Sequence, residues 1–239
     1  MSSTRITFPK VTTDEGVLVF PKINAPDTKF KADGEYQAKI RLDAEASQKL
    51  IEKYEAELAK YWEVAKAELE EKLAQAKPGA EKAKAKKALS EMKEADRPFK
   101  PAYDDEGNAT DEYEFNFKMP AQFKSKKDGS VIKMKPDVFD ASGKLLKNPP
   151  EIWGGTKACV AGELRPFSTQ IGVGLSLRLK AVQIIELSSG GGGQRDAGGY
   201  GFGSKEGYEG SDEETSHGFN DRSSGGGSES GDGSDNEDF

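Results

Sequence analysis

The sequence predicts a mainly β protein: a small barrel of five to six strands, interrupted by one long helical insertion and followed by an acidic segment that does not fold. Three observations carry that prediction. Runs of alternating apolar and polar residues recur before residue 43 and after residue 98. Between them, from about 43 to 96, apolar side chains recur three and four apart, the spacing of one helix face. From Ser188 to Phe239 the chain is nearly three-quarters Gly, Ser, Asp and Glu.

From Gly16 to Leu42 the pattern is that of strands. Val17 to Phe20 is an apolar run stopped by Pro21. Glu35 to Leu42 then alternates, with Tyr36, Ala38, Ile40 and Leu42 on one face and Gln37, Lys39 and Arg41 on the other, so the outward face is cationic. Asp43 is a suitable N-cap for the helix that follows. In that helix Leu50, Ile51, Tyr54, Leu58, Tyr61, Trp62, Ala65, Leu69 and Leu73 trace one apolar stripe ending near Lys77, and Pro78-Gly79 breaks it. The stripe reads as packing surface. A second helix, about Ala80 to Ala95, is rich in Ala and Lys and has only Leu89 and Met92 as large apolar residues.

After Arg97-Pro98 the pattern returns to strands. Tyr113, Phe115 and Phe117 alternate with Glu114, Asn116 and Lys118. Val131 to Phe139 reads as a further strand, Ile132 and Met134 inward and Lys133 and Lys135 outward, entered through a Lys126-Lys127-Asp128-Gly129 hairpin turn. Thr156 to Leu164 follows the Gly154-Gly155 turn. Gly172 to Leu187 is the last strand and is long enough to bend, with Val173, Leu175, Leu177 and Leu179 inward and Arg178 and Lys180 outward. Strands of this kind with a helical insertion between the second and third are not a βαβ repeat. They outline an oligonucleotide-binding (OB) barrel spanning residues 1–187.

Charge divides the chain at the same boundary. The whole carries a formal charge of −7, and the segment 188–239 holds 12 acidic residues against 3 basic ones, which leaves the preceding body at about +2. That segment also holds 16 of the 27 glycines, too little apolar surface to offset chain entropy, and is expected to be disordered. A solvated polyanion tethered to a basic body competes for whatever anion the body binds. Nucleic acid is the polyanion this points to.

Other classes of chemistry find little support. Cys159 is the lone cysteine and His217, the lone histidine, lies in the acidic segment, so Cys- or His-based nucleophiles and metal sites are not expected, nor is any cofactor or enzymatic activity. There is no phosphate-binding Gly-x-x-x-x-Gly-Lys loop. The opening Met-Ser-Ser-Thr-Arg leads into no apolar run of signal-peptide length, and no stretch approaches the ~18 apolar residues of a membrane span, so the expectation is an intracellular protein off the membrane.

Between Lys118 and Lys180 there are 12 Lys and Arg against five acidic residues, with Phe123, Phe139, Trp153 and Phe167 spread among them. A groove that follows a phosphate backbone while stacking bases needs this mixture, and it does not read sequence. The candidate DNA-binding residues are Lys39, Lys118, Phe123, Lys124, Lys133, Lys135, Trp153, Lys157, Phe167 and Arg178. Phe167 leads, because it follows Arg165-Pro166 and precedes the polar loop Ser168-Thr169-Gln170. Against this stands a plainer reading, in which outward lysines are merely solvated and the aromatics are core. With no zinc ligands and no basic recognition helix, a single strand fits better than a duplex.

These residues resemble the single-stranded DNA-binding proteins of bacteriophage T7-type replication systems. The resemblance is carried by Gly34-Glu35-Tyr36 leading into the helical insertion, the aromatic strand Tyr113 to Lys118, the lysine-rich hairpin and the Ile152 to Gly155 turn. It continues through Arg165-Pro166-Phe167 before Gly172-Val173-Gly174, then Ile184-Ile185-Glu186-Leu187 running into the Gly-rich acidic segment and its terminal Asp-Phe. It implies an OB barrel that coats single-stranded DNA in the cytoplasm of an infected host cell during phage replication, recombination and repair, and promotes annealing. Lys118 and Phe167 fall on the basic strand and stacking positions. Asp235, Glu237, Asp238 and Phe239 would dock on the phage DNA polymerase and helicase-primase, and the acidic segment would shield the groove when DNA is absent. A homodimer is compatible with the resemblance. The chain departs from the family pattern in its longer, two-part insertion and in Pro120, where an aromatic is expected. Two alternatives stay open at this level: an RNA-binding protein or general nucleic-acid chaperone of the same fold, and a nuclease or polymerase accessory enzyme using Asp104-Asp105-Glu106.

Overall fold

The strand pattern is realised as β1 (Lys10–Thr12), β2 (Gly16–Leu18), β3 (Lys22–Asp27) and β4 (Glu35–Leu42), followed by two helices, α1 (Ala44–Gln75) and α2 (Ala80–Ser90). Then come β5 (Phe99–Tyr103), β6 (Ala109–Pro120), β7 (Gln122–Lys124), β8 (Val131–Lys133), β9 (Asp137–Phe139), β10 (Lys157–Thr169) and β11 (Gly172–Glu186). The computed structural model describes residues 7–188 other than Asp105 and Lys126. The expected disordered segment therefore lies, beyond Ser188, outside the described residues.

Five strands close a barrel in the order β10, β2, β4, β6, β11, because β10 pairs both β2 and β11. Every contact around the ring is antiparallel except β6 with β11, which run parallel at Lys118 and Arg178. This is the expected OB barrel, with the insertion between its second and third strands. Strand alternation fills the interior: Ala38, Ile40 and Leu42 from β4, Phe115 and Phe117 from β6, and Leu175, Leu177 and Leu179 from β11 are all buried. The register of β10 on β11 slips between Ala161 and Gly162. Across that bulge the inward parity passes from Leu179 to Val182 and Ile184, which is the bend expected of the last strand. Gly162 is required there, since a Cβ would stand 2.5 Å from the Arg178 carbonyl oxygen and 2.9 Å from the Phe117 ring.

Asp43 caps α1 by accepting from the Ala46 amide at 2.8 Å. Ser47 then ties the helix to both barrel strands, its hydroxyl donating to the Leu42 carbonyl (3.1 Å) and accepting from the Tyr113 amide (3.2 Å). Leu50, Tyr54 and Leu58 are buried against the barrel, and the Tyr54 hydroxyl donates to the Leu175 carbonyl at 2.9 Å. Beyond Ala65 the stripe outruns the barrel: Leu69 and Leu73 are half-buried, covered by what α2 supplies, and α2 itself has no buried residue. Helix α2 stops at Ser90, short of the expected Ala95. Its continuation is taken by the sheet, since Val173 donates to the Lys93 carbonyl and Ala95 donates to the Val173 carbonyl, both at 2.9 Å.

Two expectations are corrected. Val131 to Phe139 is not one strand, because Pro136 divides it: β8 pairs with β7 in a separate ribbon, while β9 runs parallel to β11. Ile132 is exposed rather than inward, lying opposite Phe123. The strand expected over Thr156 to Leu164 does not stop before Phe167 either; β10 runs on to Thr169, so Phe167 pairs with Gly174 and Ser168 and Thr169 belong to the strand rather than to a loop.

Candidate nucleic-acid interface

The barrel's inward set determines what its outer face carries. With Tyr36, Ala38, Ile40 and Leu42 buried, β4 presents Glu35, Gln37, Lys39 and Arg41 outward. The register sets Arg41 opposite Glu114, Lys39 opposite Asn116 and Gln37 opposite Lys118, and Lys118 in turn beside Arg178. The chain from Asp96 to Lys100 forms one wall over this face and Phe167 contributes to the other. Together they bound a groove of about 540 Å³.

Three carboxylates line the groove, Glu35, Asp96 and Glu114, and two of them, Glu114 and Glu35, gather its cations. Glu114, whose side chain is 9% exposed, lies 3.0 Å from Arg41, 3.6 Å from Lys39 and 4.0 Å from Lys100. Burial pushes its carboxyl up, but the hydrogen bond from Arg41 and the charges of Lys39, Arg41 and Lys100 outweigh that and hold it below the usual carboxylate range. Glu35 takes Lys118 at 3.7 Å and also pairs with Lys31. Arg178 differs from these cations: among the described residues it has no carboxylate within ion-pair distance. Burial, and then the neighbouring Arg165, lower its pKa, with Glu163 and Glu35 opposing, yet a guanidinium stays charged. A half-buried guanidinium without a carboxylate partner, beside an ammonium and a half-buried phenyl ring, has the chemistry to hold an anionic chain carrying flat rings.

The groove brings together Lys39, Lys118, Phe167 and Arg178 from the sequence candidates. The Phe167 ring is half-buried and fills the space a Gly174 side chain would need, with Ala95 beside it. Phe123 and Lys124 on β7 and Lys133 on β8 stand outside the groove on the hairpin. The base of that hairpin is held to the loop before β4, Ala121 donating to the Gly34 carbonyl (2.9 Å) and Gln122 to Asp33 (2.7 Å). Lys135 lines a small separate cleft with Asp137 and Lys147. Trp153 is half exposed at the barrel rim, where the following Gly154 lies against the backbone of Phe20. Lys157 lies away from the groove, paired with Glu186 at 2.8 Å. Asp235, Glu237, Asp238 and Phe239 lie outside the described residues.

Sequence reading missed Lys100, Asn116 and Ser176 in the groove, and Glu114 as its central anion. The alternation of β6 carried that information, because Glu114 and Asn116 share the outward parity of Lys118. Two exposed aromatics were also missed: Phe20 (80%), whose φ of 46° is unusual for a phenylalanine, and Phe30 (86%), set between Lys29 and Lys31 in the loop before β4. The Lys-Phe-Lys triplet was a legible mark for Phe30. Asp104 spends its oxygens on a turn, accepting from the Glu106 and Asn108 amides and the Asn108 side chain. Among the described residues no cluster of His, Cys, Asp and Glu of metal-binding size occurs, and no helix is long and apolar enough to cross a membrane.

A family model described as the single-stranded DNA-binding protein of bacteriophage T7 matches residues 17–187. Among curated relatives, a single-stranded DNA-binding protein of Escherichia phage T7 is 35% identical over 116 residues, 48% of this chain and 47% of that one. One of Enterobacteria phage T3 is 35% identical over 105 residues, 43% of each chain. The chain thus spans about half the length of the curated relatives it matches. In fold it is similar to the crystal structure of gp2.5, a single-stranded DNA-binding protein encoded by bacteriophage T7, with a TM-score of 0.59 and 22% identity over 78% of this chain and 97% of that one.

Proposed function

The chain belongs to the family of bacteriophage T7 single-stranded DNA-binding proteins, and from that membership we propose that it coats single-stranded DNA, without sequence preference, along the groove crossing β4, β6 and β11. The observation that carries the reading is the groove's composition: Lys39, Lys100, Lys118 and Arg178 on one face with the half-buried ring of Phe167 at its side. Cations neutralise the phosphates and release their counterions, which gives affinity independent of base identity. A ring beside the cationic row gives a base a surface to stack on, worth ~1–3 kcal/mol per base. In OB barrels the face of the second and third strands and the loops flanking it hold oligonucleotides, and β4 and β6 occupy those places here. Phe123, Lys124, Lys133 and Lys135 on and beside the hairpin would extend the contact from the groove end near Glu35, while Trp153 and Lys157 would meet DNA only where it wraps around the barrel.

The same reading gives the segment 188–239 two tasks. Its net charge of −9 is a tethered competitor for the groove, and its acidic residues with Phe239 offer a docking peptide to the phage DNA polymerase and helicase-primase. Strand annealing in phage replication and recombination, in the host cytoplasm and as a homodimer, completes the proposal. The test is fluorescence anisotropy with labelled oligomers of single-stranded DNA, double-stranded DNA and RNA, with and without residues 188–239. The expected result is a preference for single-stranded DNA that tightens when the acidic segment is removed, most at low salt where charges are least screened. Stronger binding to the duplex, or to RNA of the same sequence, would overturn it.

A further inference from the structure

We propose that the helical insertion carries a second subsite for single-stranded DNA, a cleft beneath α2 into which the strand passes from the barrel groove; this rests on the reading of that groove as the DNA site. The same three stretches of chain line both cavities. Going from the groove to the cleft, Asp96 to Lys100 gives way to Glu91 to Lys93, Phe167 to Ser168 through Gln170, and Leu175 to Arg178 gives way to Gly172 and Val173. The cavities, about 540 and 620 Å³, are therefore two sides of one ridge. The ridge is built from backbone: Glu94 is bridged to Val173, and Lys93 and Ala95 share hydrogen bonds with Val173.

The cleft has the chemistry of a phosphate track. Lys84, Lys87 and Lys93 line it, all exposed, against the single carboxylate of Glu91, which draws only Lys87, at 3.8 Å. Ser168 and Thr169 add hydroxyl donors at the point where the groove ends, and Met92 and Val173 give bases an apolar floor. Helix α2 buries no residue, so its lysines are not held in place by packing needs. Its composition follows instead from a partner that is anionic and continuous with the groove. A single strand leaving Arg178 past Phe167 meets that track next. The subsite lengthens the contact without adding any reading of sequence.

The experiment uses the full chain carrying Lys84→Glu, Lys87→Glu and Lys93→Glu together, and a second variant with Gln at the same three positions, which keeps the helix free of new charge repulsion. Binding to oligothymidylates of about 6 and about 16 nucleotides, the span of OB-fold site sizes, is measured over a salt series. The long oligomer should lose at least tenfold in affinity in the Glu variant, with the salt slope shallower by about 2, as three lost phosphate contacts on a single strand require. The short oligomer, which the barrel groove accommodates alone, should bind as before. Unchanged binding of the long oligomer overturns the subsite, and so does an equal loss on both lengths, which marks a general field effect. If the wild-type protein binds neither length, the groove reading fails first and takes this one with it.

Discussion

Arg178 of β11 stands beside Lys118 of β6 where the two strands run parallel and the barrel closes. Their electrostatic settings differ, since Lys118 shares Glu35 at 3.7 Å while Arg178 has no carboxylate partner among the described residues. A half-buried cation without a carboxylate partner does not stabilise the fold by its charge, and it is available to a phosphate at no cost of breaking a pair. Arg178→Ala should therefore weaken single-strand binding about tenfold and reduce the salt slope by ~0.7, while changing unfolding free energy by less than about 1 kcal/mol. Titrations of the variant over a salt series, with urea unfolding alongside, check both halves.

Phe167 serves fold and groove at once. Its ring occupies the space over Gly174 beside Ala95, and it lines the groove with Arg178. Phe167→Ala should cost ~1–3 kcal/mol of binding, as the loss of one stacked base does. It should also destabilise the fold by roughly 1–3 kcal/mol, because a half-buried ring is removed from a packed position. Phe167→Leu separates the two effects: the apolar contact is largely kept and the flat ring is lost, so stability should recover while affinity stays low. Anisotropy and thermal melting of the pair of variants decide it.

What the sequence disclosed follows from where periodicity is strong. The alternation in Glu35–Leu42, Tyr113–Lys118 and Gly172–Leu179 placed the barrel strands and their inward residues, because a strand buried on one side must alternate. The same parity put Lys39, Lys118 and Arg178 on the outer face, and the groove gathers all three. It failed where elements are short. β1 and β3 are brief, with Pro26 within β3, and β5 carries Pro101, so none offers a period long enough to read. In Val131–Lys133 the alternation was genuine but belonged to an exposed ribbon, where nothing buries Ile132, while beyond Pro136 the chain joins the main sheet as β9 with Val138 buried. Phe167 was selected by its neighbours, yet which strand carried it depended on pairing with Gly174, a long-range fact. Lys157 matched the cationic pattern, but its register set it opposite Val17, outside the groove and paired with Glu186.

The ridge between groove and cleft turns on Gly172. Its φ of 137° lies in the region that favours glycine, and a Cβ there would stand 2.7 Å from the Ala95 nitrogen, inside the backbone it must bond alongside. Gly172→Ala has no flexible side chain to displace, so the strand start and residues 93–95 must separate. The expected result is a loss of ~2 kcal/mol or more in unfolding free energy. Amide hydrogen exchange should show faster exchange at Ala95 and Val173, with the buried amides of β4 and β6 lowered only by the global change.

Glu114 sets how strongly the groove's cations are already engaged. Its carboxyl is held below the usual carboxylate range by Arg41, Lys39 and Lys100, against the upward push of burial. A depressed carboxylate contributes stability that is fully present above its unfolded pKa and is lost as pH falls through its folded value. Glu114→Gln keeps an acceptor for Arg41 and removes the charge. The variant should be less stable than wild type at neutral pH, and the difference should close as pH drops below the ordinary carboxylate range, which urea unfolding at a series of pH values measures. In binding the sign reverses. Lys39 and Lys100 in the groove lose an internal anion and become available to phosphates, so at neutral pH the variant should hold single-stranded DNA more tightly and with a steeper salt slope, each newly engaged phosphate adding ~0.7. The two trends are linked through one carboxylate: the charge that strengthens the fold is the charge that a DNA phosphate has to displace.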